Sequence, residues 1–169
     1  INIWSAACST GEEAYTLAII MLEMLDDPKD WEFKIYATDI DENVINIAKQ
    51  GIYSERSVKF IPPDYQQKYI YRKLNGFSVI PELKKYIIFD ILNLMDDEQM
   101  LKLPIFDFIF CRNALIYFDD DSRKQVVLNF YQLLASKGYL FLGHSESVSR
   151  ICNLFKIKRK DGHILYYKD

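Results

Sequence analysis

The chain has little with which to span a bilayer, hold a metal or grip nucleic acid. No apolar run approaches the roughly 20 residues that a transmembrane helix needs, and no signal-peptide-like stretch precedes the first strand. There are only two histidines, His144 and His163, far apart in the sequence and without metal-ligand spacing. The three cysteines, Cys8, Cys111 and Cys152, are odd in number and show neither CxxC nor CxxH spacing. That speaks against a zinc site or a disulfide framework and fits reduced, buried thiols in a cytoplasmic protein. Basic residues are in the minority: 21 Lys and Arg against 24 Asp and Glu leave a net charge of −3. Phosphate binding wants a basic face, so no nucleic-acid partner is expected. Glycine is scarce as well, six in 169 residues, and there are no repeats or low-complexity segments.

What is present is a core. Half of the residues are hydrophobic and 15% are aromatic, enough at this length for one packed domain. Ile1, Ile3 and Trp4 read as a buried strand, Ser5 to Gly11 as a small-residue turn, and Glu12 onward as a helix. Ala14, Leu17, Ala18, Met21, Leu22 and Leu25 follow at helical spacing, and Asp26-Asp27-Pro28 stops the helix. Thr10 is the expected cap, with Glu13 completing a capping box. Residues 33–38 form a second strand ending on Asp39; Asp41 caps the next helix and Gly51 closes it. This order opens a nucleotide-binding α/β sheet, whose ligand lies beyond the carboxyl ends of the strands. Ser9 to Glu13 and Asp39 therefore share one crevice.

The turn discriminates among nucleotides. A dinucleotide site uses several glycines so that the backbone can approach a pyrophosphate. Here the turn holds one, Gly11, and Glu12 and Glu13 occupy the first helical turn. Two carboxylates there repel a pyrophosphate by on the order of several kcal/mol at intermediate dielectric. They suit a cofactor with positive charge and ribose hydroxyls, such as S-adenosylmethionine with its sulfonium and ammonium groups. The other reading is that both acids only complement the helix dipole.

Beyond Ile52 the pattern changes. Pro62-Pro63-Asp64 breaks the chain, residues 65–71 form a short helix or strand, and Asn75-Gly76 is a hairpin turn between strands near 69–74 and 77–80. The stretch is too long for a plain connection and predicts a small antiparallel β subdomain inserted at about 62–88. Residues 86–90 return to the main sheet, and FDFIFC at 106–111 reads as a strand buried on both faces. A helix over 119–135, a strand at 139–142 and a polar turn at 143–147 follow. Strands 155–159 and 164–168 flank Asp161-Gly162 as a closing hairpin. The fold class is α/β, a mostly parallel sheet with one antiparallel edge, over residues 1–169.

Four segments, WSAACSTGEEAYTLA, ATDID, FDFIFCRNALIYF and LFLGHSES, stand in this order along the chain. Together they resemble the C-terminal domain of the CheR family of chemotaxis receptor methyltransferases, and the resemblance covers essentially the whole chain. It implies a Rossmann-like class I SAM-dependent methyltransferase sheet carrying an inserted antiparallel β subdomain. It further implies a protein-glutamate O-methyltransferase that moves a methyl group from S-adenosyl-L-methionine to glutamate side chains of chemoreceptor cytoplasmic domains. The cofactor product is then S-adenosyl-L-homocysteine. Such an enzyme is cytoplasmic and serves signal transduction in chemotaxis adaptation.

By the same resemblance, Glu13 is a cofactor-binding acid and Asp39 takes the adenosine end, where a carboxylate accepts from both ribose hydroxyls. Asn93 and Leu94 match the segment beside the adenine, the amide reading the base edge and the aliphatic chain covering its face. Arg112 and Asn113 face the methionine moiety. Tyr117 matches the active-site tyrosine and is expected to hydrogen-bond and orient the incoming carboxylate. Arg112 attracts that carboxylate or holds the pocket wall. No base is expected at His144, because a glutamate carboxylate is already ionised at neutral pH, and GHSES reads as a structural turn. From the residues alone, Asp39 also reads as a helix cap, Asn93 as a turn residue and Tyr117 as core.

Family members also carry an N-terminal helical domain and a linker with an active-site arginine. Neither stands before Ile1, so the chain is expected to be a catalytic domain cut from something longer, with its activity and cofactor affinity in question. The hairpin at Asn75-Gly76 is short, which leaves open whether a receptor C-terminal peptide adds to the β subdomain as a strand. The rival readings are a methyltransferase for another substrate and a SAM- or partner-binding module without activity. The acidic charge and the lack of an NPPY-like motif count against DNA amino-group methylation.

Overall fold

The computed structural model describes residues 1–27, 30–148 and 151–169. Pro28, expected to help stop the first helix, lies outside the described residues. Strand β1 (Asn2–Ala6) leads through a turn to α1 (Glu12–Met24), β2 (Lys34–Asp39) and α2 (Glu42–Gln50). A small unit follows: β3 (Ile52–Tyr53), α3 (Glu55–Val58), α4 (Pro63–Tyr69), β4 (Ile70–Lys73), β5 (Gly76–Val79) and α5 (Pro81–Lys84). The chain returns through β6 (Ile87–Ile91), α6 (Asp97–Met100) and β7 (Phe106–Cys111). A 3₁₀ turn (Leu115–Tyr117), α7 (Asp120–Leu133), β8 (Leu134–Leu142), β9 (Lys156–Lys160) and β10 (His163–Tyr167) complete it.

Seven strands form one sheet in the order β6-β2-β1-β7-β8-β10-β9. The first five are parallel, while β10 is antiparallel to β8 and β9 to β10. From β1 the chain steps outward to β2 and β6, then crosses back to β7 and β8. The order thus reverses between β1 and β7, and their carboxyl ends open a crevice there.

The alternation in β1 sorts its side chains between two cores. Trp4 is fully buried on one face, stacked on Phe106 at 5.1 Å and edge-on to Phe130 at 5.3 Å. Its indole N–H donates to the Thr38 hydroxyl at 2.9 Å; left unpaired in the core, that donor would cost about 1–3 kcal/mol. On the other face Ile3, Ile35 and Ala37 pack with Ala14, Leu17 and Ala18 of α1.

Three expectations change at the level of packing. Strand β7 is not buried on both faces: Phe106, Ile109 and Cys111 are buried, but Phe108 and Phe110 are half-buried. Helix α1 packs on β2, α5 and β6, so Phe110 finds its cover by stacking on Phe141 at 4.4 Å. The helix expected over 119–135 stops at Leu133, because Leu134 already pairs with Phe106 in the sheet. The small antiparallel sheet, ordered β3-β5-β4 and turned at Asn75-Gly76, takes its third strand from Ile52–Tyr53. That strand precedes the 62–88 span, since two residues offer no period to read. Residues 65–71 divide between α4 and β4.

The closing hairpin behaves as its turn residues dictate. Asp161 and Gly162 are both left-handed, at φ 50 and φ 79, as a two-residue loop between twisted strands requires. Among the described residues, no helix is long and apolar enough to cross a membrane.

Candidate active site

The turn after β1 is held in an unusual backbone conformation. Ala7 (φ 59), Ser9 (φ 49) and Gly11 (φ 90) are all left-handed, which costs a non-glycine residue roughly 1–2 kcal/mol. Hydrogen bonds hold it there. The Cys8 N–H donates to the Thr38 carbonyl at 2.9 Å and the Gly11 N–H to the Cys8 carbonyl at 3.0 Å. The Ser9 N–H donates to the Asp39 carboxylate at 2.8 Å, and the Tyr53 hydroxyl to the Thr10 carbonyl at 2.8 Å.

The capping box expected of Thr10 and Glu13 does not form. Gly11 is the N-cap of α1, which leaves Thr10 one residue too early, and its hydroxyl donates to Glu12 at 2.6 Å instead. Glu13 turns toward the sheet. It accepts from the buried Ser5 hydroxyl at 2.8 Å and lies 3.5 Å from the Arg112 guanidinium. The carboxyl end of β1 and the end of β7 are thereby joined through an acid and a base.

Asp39 joins β1 to β2. One oxygen accepts from Ser9 N–H at 2.8 Å and the other from Asp41 N–H at 3.1 Å. Asp41 caps α2 through the Asn43 N–H at 2.8 Å, so the cap and the crevice acid are different residues. Asn93 accepts from Met95 N–H at 3.0 Å, a local turn, and lines a groove of about 600 Å³ with Thr38, Ile40 and Lys102. Leu94 is not brought to that groove: it is buried in the core beside Leu92 and Met100, and Ile40, Ile88 and Ile91 are the exposed aliphatics that line it.

A second groove, of about 1070 Å³, is lined by Glu12, Glu13, Arg112 and Glu146 over Phe110 and Phe141. Asn113, the second residue of the loop beyond β7, is left-handed, φ 60. Tyr117 closes that loop and is 85% exposed, not core. Sequence reasoning missed Glu146. Its carboxylate accepts from the N–H groups of Asn113 (2.8 Å), Ala114 (3.0 Å), Leu115 (2.8 Å) and Gly143 (2.7 Å). GHSES is indeed a turn, but one whose glutamate reaches 33 residues back; no local pattern encodes that. His144 and His163, distant in sequence, bring their rings to 5.9 Å at the rim of the same groove. Among the described residues, no group of three or more His, Cys, Asp or Glu could hold a metal.

A family model described as CheR methyltransferase, SAM binding domain, matches residues 1–163. The chain belongs to the CheR methyltransferase family. It is 43% identical over 169 residues to chemotaxis protein methyltransferase 2 of Vibrio cholerae, covering 99% of this chain and 59% of that protein. Against the chemotaxis protein methyltransferase of Escherichia coli the identity is 38%, over 93% of this chain and 56% of the relative. This CheR-family chain thus spans a little over half the length of such relatives. In fold it is similar to an O-methyltransferase family protein from Burkholderia thailandensis, with a TM-score of 0.52 at 14% identity, over 83% of this chain and 31% of that one. It is similar likewise to the DszA carbon methyltransferase, at 0.52 and 15%, over 84% and 28%. The sheet is that of class I SAM-dependent methyltransferases.

The CheR-family crevice fits S-adenosylmethionine on its own chemistry. Two of the turn's backbone donors that a diphosphate would use are already taken, Ser9 N–H by Asp39 and Gly11 N–H by Cys8. Carboxylates stand at the strand ends instead, Glu13 toward β7 and Asp39 on β2. A ligand with a cationic end and paired hydroxyls completes such a set, and an anionic one does not.

The same carboxylates mark Cys8. Burial foremost, and then the charge of Asp39, push its thiol up to about 12. At pH 8 its thiolate is then on the order of one part in ten thousand. Iodoacetamide at pH 8 is expected to label the half-buried Cys152 well before Cys8 or the fully buried Cys111, followed by peptide mass mapping. Asp39→Asn removes a negative charge that opposes the thiolate, so Cys8 labelling should speed up. Equal labelling of Cys8 in both proteins would remove Asp39 from its surroundings.

Proposed function

We propose that this domain methylates glutamate side chains on the cytoplasmic region of chemoreceptors, forming methyl esters, as a cytoplasmic enzyme of chemotaxis adaptation. The observation that carries the reading is the Glu13–Arg112 pair at the point where the sheet order reverses. It is supported by the relatives' names as chemotaxis protein methyltransferases. Glu13 would meet the cofactor's ammonium and Asp39 its ribose hydroxyls. Asn93 keeps its amide nitrogen free of any partner among the described residues and is suited to a base edge. Leu94 supports that segment from the core. Arg112 and Asn113 would face the methionine end.

When bound, S-adenosylmethionine supplies a methyl group on a sulfonium sulfur, which a carboxylate oxygen displaces without any proton transfer. The chain therefore needs no general base, and its task is to aim a weak nucleophile and exclude water. Arg112 is half-exposed beside Glu13, and a planar fork with five donors can serve a second carboxylate. The Tyr117 phenol has no partner among the described residues and would donate to the incoming glutamate. Tyr117→Phe is expected to lower turnover about tenfold or more, the value of one hydrogen bond to a charged group, with cofactor affinity unchanged. Transfer of labelled methyl groups to a receptor fragment measures it; turnover equal to wild type would remove Tyr117 from the reaction.

A receptor C-terminal peptide, in this reading, adds along β4, the longer of the two edge strands of the small sheet. Labelled-methyl transfer to receptor glutamates separates this function from a methyltransferase for another substrate. Calorimetry with S-adenosylhomocysteine separates both from a module that has lost its cofactor.

A further inference from the structure

The loop from Arg112 to Tyr117 carries three of the residues assigned above, yet little in its own sequence holds its shape. Asn113 is left-handed (φ 60) and Ala114 right-handed (φ −113, ψ −42). That alternation turns successive N–H groups toward one point and makes a backbone nest for an anion. The anion is the Glu146 carboxylate, which takes Asn113, Ala114 and Leu115 at 2.8–3.0 Å and a fourth donor, Gly143, at 2.7 Å. On the carbonyl side Arg123 of α7 donates to Leu115 at 3.1 Å and to Phe118 at 2.8 Å. The loop is clasped from both sides by side chains distant in sequence.

We infer that Glu146 is a positioning residue for methyl transfer: by filling the nest from within, it fixes where Arg112 and Tyr117 stand. This rests on the function proposed above. It has a second consequence, because a glutamate substrate and the cofactor's methionine end both carry carboxylates. An open nest beside Arg112 would compete for them, and Glu146 closes it. The clasp accepts no simple substitute. Each oxygen serves two donors, so an amide must turn its NH₂ toward two N–H groups in either orientation, and aspartate falls one methylene short. Gly143 belongs to the clasp too, since a Cβ there would lie 2.6 Å from Glu146 Oε2 and 2.9 Å from Asn113 Oδ1.

The test uses the natural full-length protein. Glu146→Gln and Gly143→Ala are each expected to speed amide exchange at residues 113–115 by about tenfold or more and to lower kcat up to about a hundredfold. Glu146→Ala is expected to regain turnover when formate is added, because formate fits the vacated nest, while the wild type does not respond. A general loss of packing gives no formate rescue. Protected amides at 113–115 together with wild-type turnover in Glu146→Gln would overturn the inference, as would absent rescue in a folded Glu146→Ala. Should these variants fail to fold, Glu146→Asp, read by the same exchange and turnover, decides. A wild type that binds S-adenosylhomocysteine but methylates no receptor would overturn the proposed function alone, since the exchange measurement needs no substrate.

Discussion

Asp39→Ala is expected to weaken S-adenosylhomocysteine binding by at least about a hundredfold. Two hydroxyl donors to one carboxylate are worth about 1.5–3 kcal/mol each in a partly desolvated site. Removing the acceptor takes both away at once. It also releases the N–H groups of Ser9 and Asp41 that Asp39 now holds, so the left-handed turn loses one of its ties. Asp39→Asn keeps one carbonyl oxygen and should fall between wild type and alanine. The neighbouring acid supplies the control: Asp41→Ala should cost about 1 kcal/mol of stability as a lost cap, with affinity unchanged. Calorimetry with S-adenosylhomocysteine, beside denaturant melts, reads all three. Wild-type affinity in Asp39→Ala would displace the adenosine end from β2.

Gly11→Ala is expected to lower stability by about 2–5 kcal/mol and to abolish measurable cofactor binding in what remains folded. The left-handed backbone at φ 90 contributes roughly 1–2 kcal/mol of this. The rest is overpacking, because the new Cβ would lie 2.7 Å from the Ala48 Cβ and 3.2 Å from its Cα on α2, a clash worth about 1–3 kcal/mol. Backbone cannot step aside as a long side chain does, so the turn must move, and Ser9 and Glu13 with it. Ala48→Gly in the same protein should return part of the lost stability by removing the facing Cβ, but not the part due to φ. Urea midpoints of the two single variants and the pair decide it. A Gly11→Ala protein as stable as wild type would show that α2 does not set the turn.

Much of this architecture was legible before any coordinates. Strand–turn–helix at the start, the acid closing β2, the Asp41 cap, the Gly51 stop and the Asp161-Gly162 hairpin are all local facts. Each follows from a residue's own backbone preference or from a side-chain period within a few positions. The four separated segments then pointed to the CheR family, and the family match agrees with them. Errors fell where a local rule had a distant competitor. Thr10 and Glu13 spell a capping box, but the N-cap is Gly11 and Glu13 prefers Ser5 and Arg112. FDFIFC spells a strand covered on both sides, but one face stays half open.

By itself, then, the sequence determined the order of elements, the kind of sheet and the preference of its crevice for a cationic, hydroxyl-bearing ligand. Those depend on spacing and charge within short windows. Only the tertiary structure decided which carboxylate does what: Glu13 facing Arg112 across the strand-order reversal, Asp39 tying two turns together, Glu146 clasping a loop 33 residues upstream. A hydrogen bond forms where packing brings donor and acceptor within about 3 Å, and which groups meet is settled by how the sheet and helices stack, not by neighbours along the chain.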